Sequence, residues 1–508
     1  MSARTVTLGR IEARLEREGL LAPGARLPEP VAAARVHDVA TDSRQVGTGD
    51  LFCAYAGTGS DSHRYLRDVA LKGAAAATVE RADRGLTLPQ IEVTYGRLAA
   101  AHAAAEVYGD PWNELVLVGV TGTNGKTTSA AILRHLLGLR GPAGSIGTLG
   151  AVDQAGRVIP GTEGLTTPGP VEAARWIRRF ADAGVQALAM EVSSHALHQQ
   201  RMAAARFDAA LFTNLTRDHL DYHRTMEEYR AAKLKLAELL KPDGAAILNA
   251  DDPAWSGVGA LIQGRRRVVR FGIHTPADVR AGEVRVGPGG MEWELETPDG
   301  SAPVRLPLFG TYNVANALGC AAVLWSLGWT PDQVAAGLGT LPQVPGRLER
   351  VSGPPASATV LIDYAHTPDA LERALQALRP LVRGRLWVLF GAGGDRDPGK
   401  RPEMGRIAAE NADVAVVTSD NPRTEDPEAI IDDIERGMGS APRLRFPDRR
   451  EAIRHALLNA SEDDLVLLAG KGHETYQIVG LEKRPFDERE VVREVLLERS
   501  ESMSGGVA

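Results

Sequence analysis

Short apolar runs separated by amphipathic stretches dominate the chain. Leu115-Val116-Leu117-Val118-Gly119-Val120 is continuously apolar and closes on a Gly-rich turn, as a strand buried on both faces requires. Residues 130–139 (AAILRHLLGL) follow with helical periodicity. Further apolar runs at 187–192, 209–212 and 245–248 alternate with helical patterns, which predicts a doubly wound, mostly parallel sheet. Ahead of them, short β-like runs alternate with Ala-rich helical stretches. Residues 99–107 read as a helix that Gly109-Asp110-Pro111 ends. The texture changes at Leu341-Pro342-Gln343-Val344-Pro345-Gly346-Arg347, where clustered proline and glycine predict a hinge. Beyond it, buried strands are expected at 359–362, 386–390, 414–418 and 465–469. The expected organisation is α/β throughout, in three domains spanning 1–110, 111–342 and 343–508.

Composition narrows the class. Of 508 residues, 44% are hydrophobic and 24% charged, which excludes disorder of the whole chain. A net charge of −7 gives no global footprint for nucleic acid or an anionic membrane, while leaving room for a local basic pocket. The only cysteines, Cys53 and Cys320, exclude a disulfide framework or a Cys-rich metal site. The charged N-terminus does not read as a signal peptide, and no uncharged apolar run is long enough to span a membrane. A cytoplasmic protein is expected.

The strongest local signal is VTGTNGKTTS after the strand ending at Val120. Gly122 and Gly125 permit a tight turn with inward N–H groups, Lys126 can reach terminal phosphates, and Thr127 opens a helix whose N-terminus favours anions. Val120 stands where the strict phosphate-loop pattern has glycine. Glu191 ends an apolar strand, where a Mg2+ ligand would sit or where an exposed strand-end acid would be unremarkable. The segment 212–223 (FTNLTRDHLDYH) is dense in polar groups just past a strand end, and His219 is a candidate metal ligand there. Lys233 lies in a helical stretch and, taken alone, reads as a solvated surface lysine.

These motifs, in this order, resemble those of the ATP-dependent Mur ligases of peptidoglycan synthesis. TGTNGKTT, EVSSHAL, NLTRDHLDYH and YRAAK carry the likeness, with GTYNVANALGC, PGRLE, DYAHTPDAL, GAGGDRDPGKRP, SDNPRTEDP and AGKGHETYQ after them. The likeness runs from Thr41-Asp42-Ser43-Arg44 to Glu474. It implies an N-terminal UDP-sugar-binding domain, a central P-loop-type ATPase and a C-terminal Rossmann-like domain that binds an amino acid. It implies that Gly122, Thr123, Asn124, Gly125, Lys126, Thr127 and Thr128 hold ATP phosphates, with Asn313, Arg347 and Asp363 also on the nucleotide. Thr127 and Glu191 would bind one Mg2+, and His219 a second together with Lys233 as a carbamate. Lys126, Glu191, His219 and Lys233 are thus the implied catalytic set. Thr41, Ser43, Thr58, Gly59, Ser60, Thr166, Thr167, Ser193, Gln199 and Arg201 would bind the UDP-N-acetylmuramoyl-dipeptide. Ser62 departs from the family at a position where many relatives have glycine before the histidine.

Arg396, Asp420, Asn421, Pro422, Arg423, Gly470 and Glu474 resemble the amino acid pocket of members that add meso-diaminopimelate. A guanidinium can clamp the distal carboxylate with two hydrogen bonds, and Glu474 would pair with the distal ammonium. Arg423 could otherwise be a surface arginine preceding a helix. The implied reaction is ATP-dependent addition of meso-diaminopimelate to the D-glutamate of UDP-N-acetylmuramoyl-L-alanyl-D-glutamate through an acyl phosphate. The alternatives are L-ornithine or L-lysine as the added amino acid, or a folylpolyglutamate- or cyanophycin-type ligase. Small-molecule partners, a monomer, no nucleic acid and no membrane span are expected.

Overall fold

The computed structural model describes residues 6–57, 60–262, 266–287, 289–351 and 357–504. The chain forms two compact units, one of Met1–Arg280 with Leu318–Thr330 and one of Ala281–Ala317 with Pro331–Ala508.

The first unit holds two main sheets beside the short antiparallel pair Val6–Thr7 and Arg35–Val36. Strands Val39–Ala40, Leu51–Cys53, Ala76–Val79 and Gln90–Glu92 lie side by side in that order, all parallel. The Ala-rich segment forms the helix Gly96–Tyr108, buried along almost its whole length. A helix of alanines can be covered on every side because it has little side-chain volume to place. Seven neighbouring strands of the larger sheet run, in order, Arg267–Gly272, Leu240–Asn249, Phe207–Phe212, Val116–Thr121, Ala187–Glu191, Ala143–Gly147, Gly150–Val152. These seven are parallel except for the hairpin pairing of the last two. Register matters most at its centre. Glu191 pairs with Val120 and Phe212 with Thr121, so three strands distant in sequence end within one residue of the same level. The segments after them leave from the same edge of the sheet.

The second unit repeats that logic. Its six-stranded sheet runs Glu349–Val351, Thr359–Asp363, Leu465–Ala469, Leu386–Phe390, Val414–Thr418, Arg443–Phe446, parallel apart from the first pairing. Within Leu386–Phe390, Leu386, Val388 and Phe390 enter one core while Trp387 and Leu389 enter the other. Alternate side chains of a strand point to opposite faces, so an unbroken apolar run means both faces are covered by helices. The strands expected at 386–390, 414–418 and 465–469 coincide with those observed. The antiparallel pair Gly290–Thr297 and Gly300–Leu306 was not anticipated, because half-buried strands alternate polar with apolar residues and form no run.

Asp464 fastens the entry side of this sheet. Its buried carboxylate accepts hydrogen bonds from the Arg385 N–H at 2.7 Å, the Ser461 N–H at 3.0 Å and the Trp387 indole at 3.0 Å. Burial alone would raise its pKa, but these donors hold it at about 2, against an ordinary 3.8. Its contribution to stability is therefore full above pH 3.8 and lost as pH falls from there to about 2. Asp464→Ala is expected to destabilise the protein by about 3 kcal/mol at pH 7, by stranding buried donors. Urea melts should show this, and the gap between wild type and variant should close as pH drops below the ordinary carboxyl range.

Candidate active site

The phosphate loop of the first unit runs from the strand Val116–Thr121 to the helix Lys126–Gly138. Gly122 adopts φ 152°, and a Cβ there would fall 1.8 Å from Thr213 Oγ1. Only glycine fits. The segment after Phe212 braces the loop. Asn214 accepts from the Thr123 N–H with its carbonyl and from the Asn124 N–H with its side chain, both at 2.8 Å. Thr213 Oγ1 donates to the Asn124 carbonyl at 2.6 Å. Thr213 and Asn214 were not singled out from sequence. Their place directly after a strand end, beside a loop rich in backbone polar groups, was the available signal.

Glu191 is not the exposed strand-end acid that the sequence left open; it is only 1% exposed. Its Oε2 accepts from Thr127 Oγ1 and Thr148 Oγ1, each at 3.1 Å, and its Oε1 from the Thr148 N–H at 2.8 Å. Gly147 makes room for it, since a Cβ there would lie 2.1 Å from Glu191 Oε1. These recorded donors are all uncharged. A buried carboxylate ringed by neutral oxygens and an N–H is a fitting place for a cation, and a hydroxyl with a carboxylate is a hard donor pair suited to Mg2+.

Lys233 also departs from its solvated reading. It is 1% exposed within the helix Met226–Glu238. Its Nζ donates to the Gly122 carbonyl at 2.7 Å and lies 4.4 Å from the centre of the Tyr229 ring. Lys126 Nζ donates to that same carbonyl at 2.9 Å and to the Thr123 carbonyl at 2.8 Å. Burial, and then the neighbouring Lys126 charge, push the Lys233 pKa well below that of an ordinary lysine. A neutral amine is the form that can take up CO2. His219 opens the short helix Leu220–His223 with φ 55°, its ring 4.8 Å from that of His195 and 6.0 Å from that of Tyr229. Burial lowers its pKa first, the Lys126 charge contributes to the same end, and Asp218 opposes them. A neutral imidazole is the metal-ligating form.

Five of the expected substrate residues meet beside Glu191. Thr167 Oγ1 donates to the Glu191 carbonyl at 3.0 Å and accepts from the Ser193 N–H at 3.0 Å. Thr166 Oγ1 lies 3.2 Å from Thr148 Oγ1, where it can donate, since the Thr148 hydroxyl proton goes to Glu191. Arg201 donates to the Thr167 carbonyl at 2.9 Å and to Gln199 Oε1 at 2.8 Å. Burial lowers the Arg201 pKa, as does the positive charge of Arg97 from the N-terminal segment. Thr41 and Ser43 follow the strand Val39–Ala40, where the Ser43 carbonyl accepts from Lys72 at 2.7 Å. Ser60 is exposed. Thr58 and Gly59 lie outside the described residues.

The remaining candidates belong to the second unit. Asn313 is buried, its amide donating to the Phe309 carbonyl at 2.8 Å and accepting from Asn316 at 3.2 Å. Asp363 ends the strand Thr359–Asp363 and accepts from the Leu348 N–H at 2.7 Å. Burial raises its pKa against the opposing charge of Arg347, whose guanidinium lies 5.0 Å from the centre of the Tyr364 ring. The amino acid candidates sit on loops leaving three neighbouring strand ends. Asn421 Nδ2 donates to Glu474 Oε2 at 2.9 Å, and the Ile478 N–H donates to Asn421 Oδ1 at 2.9 Å. Arg423 is no ordinary surface residue preceding a helix. Its φ is 53°, and its N–H and carbonyl are taken by Ile478 and Gly480 of the hairpin Tyr476–Val479/Glu482–Pro485. Its guanidinium donates to the Gly394 carbonyl at 2.6 Å. Arg396 borders the same Gly393-Gly394 turn. Pro422 and Gly470 complete the two loops, a Cβ on Gly470 falling 2.5 Å from Asp420 Oδ2.

Two family models match the chain, the Mur ligase middle domain over residues 120–324 and the Mur ligase glutamate ligase domain over residues 346–472. The chain is 45% identical over 475 residues to the UDP-N-acetylmuramoyl-L-alanyl-D-glutamate–2,6-diaminopimelate ligase of Gloeobacter violaceus, covering 91% of this chain and 94% of that protein. It is 44% identical to the ligase of the same name from Geobacillus kaustophilus, covering 90% and 94%. A solved structure of a ligase of that name superposes with a TM-score of 0.67 at 29% identity, covering 98% of this chain and 99% of that one. A folylpolyglutamate synthase from Mycobacterium tuberculosis superposes with a TM-score of 0.61 at 21% identity over 73% of this chain and 92% of its own, a likeness of fold alone. The chain belongs to the Mur ligase family.

Asn214→Ala would remove one side-chain partner from the Asn124 N–H and one from the Asn124 carbonyl, while the backbone bond to the Thr123 N–H stays in place. Nucleotide affinity should fall about tenfold by calorimetric titration with ADP, the worth of one to two buried hydrogen bonds. The melting temperature should change little, since Asn214 lies outside the core.

Proposed function

We propose that the chain joins the amine of meso-diaminopimelate to the D-glutamate carboxylate of UDP-N-acetylmuramoyl-L-alanyl-D-glutamate, at the expense of ATP, in cytoplasmic peptidoglycan precursor synthesis. The observation that carries this reading is the mixed charge of the pocket at the strand ends. Arg423, Asp420 and Glu474 all lie within electrostatic reach of Tyr476, one cation near two carboxylates. That pattern matches a stereocentre bearing both a carboxylate and an ammonium. The names borne by the Gloeobacter and Geobacillus relatives support it. Lysine or ornithine would leave the guanidinium without its anion.

The reading assigns residues 1–110 to the UDP-sugar, 111–342 to ATP and 343–508 to the amino acid, in a monomer. Among the described residues no helix is long and apolar enough to cross a membrane. The loop 122–128 holds the ATP phosphates, with Asn313, Arg347 and Asp363 also on the nucleotide. Thr41, Ser43, Thr58, Gly59, Ser60, Thr166, Thr167, Ser193, Gln199 and Arg201 hold the muramoyl dipeptide. Thr127 and Glu191 fit one Mg2+, and His219 a second with Lys233 as its carbamate. Bound Mg2+ supplies neutralisation of phosphate and carboxylate oxygens that would otherwise repel.

The dipeptide carboxylate attacks the γ-phosphorus, ADP leaves and an acyl phosphate forms. The neutral amine then attacks the acyl carbon, and the tetrahedral intermediate collapses to amide and phosphate as the amine gives up a proton. Lys126 holds the transferring phosphoryl group beside the carboxylate, so the first step is mainly positioning and charge neutralisation. Ser193 and Arg201 hold the acid in line. Lys233 gains its carboxylate when CO2 bonds to the neutral Nζ and a proton leaves.

Lys126→Ala and Lys233→Ala are each expected to abolish ligation. Short carboxylates such as acetate should partly restore Lys233→Ala, whereas full activity without them would remove the carbamate. Turnover in a competition among meso-diaminopimelate, L-lysine and L-ornithine should strongly favour the first. Arg423→Ala should raise the KM for diaminopimelate about thirtyfold, the worth of about 2 kcal/mol for charged hydrogen bonds. Equal losses with lysine would refute the clamp.

A further inference from the structure

Lys471 is fully buried, with no side-chain exposure. Its Nζ donates to Asn421 Oδ1 and to Glu474 Oε2, each at 3.0 Å, and lies 3.9 Å from Asp420 Oδ1. The Tyr476 ring stands 5.7 Å away. A lysine is rarely buried without paired anions. Here one cation serves both Asp420 and Glu474, and it also orients the Asn421 amide, which donates to Glu474.

This has a consequence for substrate choice. Two carboxylates without a counterion would make a strongly negative hollow. Any distal ammonium would be drawn to it, whether or not a carboxylate sat beside it. With Lys471 in place, about one negative charge is left for the substrate, and the ammonium alone gains less. Arg423 then decides. We propose that Lys471 is a specificity-determining residue, setting the charge of the amino acid pocket so that a distal end lacking a carboxylate is rejected. The proposal rests on the reading of the chain as a diaminopimelate-adding ligase.

The test compares kcat/KM for meso-diaminopimelate and L-lysine, with UDP-N-acetylmuramoyl-L-alanyl-D-glutamate and ATP saturating. Wild-type turnover with diaminopimelate comes first, and its absence would count against the ligase reading itself. Lys471→Met should lower the ratio of the two kcat/KM values about tenfold, the scale of one unit charge at close range in a partly screened site. The change should lie in the KM for the amino acid, with the KM for ATP unchanged. Adding Asp420→Asn to that variant should restore the ratio by restoring the charge. Should Lys471→Met fail to fold, Asp420→Asn alone should move the ratio the other way, raising discrimination. Equal losses for both amino acids, or a ratio that the second substitution does not restore, would reduce Lys471 to a structural lysine and overturn the proposal.

Discussion

Parallel strands that end in step are the constraint on which the rest depends. Register at the centre of the first unit brings the ends of three strands, at Thr121, Glu191 and Phe212, to within one residue of the same level. The phosphate loop, the Glu191 carboxylate and the bracing segment at 213–216 then emerge as neighbours. The same holds in the second unit, where the strands Leu465–Ala469, Leu386–Phe390 and Val414–Thr418 lie adjacent and release the loops carrying Lys471, Arg396 and Arg423. Apolar burial sets the register, and the register sets the chemistry. A slip of one residue would turn every side chain to the other face.

Onto that frame each unit places charged groups away from water, and each must be balanced. Glu191 is surrounded by hydroxyls and an N–H, which leaves it suited to a cation. Lys233 shares one backbone carbonyl with Lys126, and two ammonium groups there would repel. Shedding the Lys233 proton relieves the conflict and leaves a nucleophilic amine. Lys471 solves the opposite problem, standing between carboxylates that would otherwise repel each other. In each case the burial that makes the charge costly also makes it responsive to what binds.

The scaffold supports this with backbone that few residues accept. Gly122 and Gly147 leave room that Thr213 and Glu191 fill. Arg423 takes a left-handed backbone that a hairpin pairing holds in place. Such positions persist where surrounding contacts over-determine them, and they gather where a side chain must be aimed.

The phosphate loop, the β-α alternation and the buried strands of both sheets were legible in the sequence, because apolar runs and Gly-Lys-Thr spacing are local properties of the chain. So were the candidate residues, through their motifs. What could not be read was environment. Taken alone, Lys233 reads as solvated, and Glu191 as either a metal ligand or an exposed acid, because nothing local shows what packs over a side chain. Thr148, Thr213, Asn214 and Lys471 went unselected because their partners lie far away in sequence, and the hairpin at 290–306 escaped because its alternation makes no run. Sequence by itself determined which elements form and which chemical groups are present. Tertiary structure alone decided which of those groups are buried together, since burial and charge pairing depend on contacts between segments that only the folded sheet brings into register.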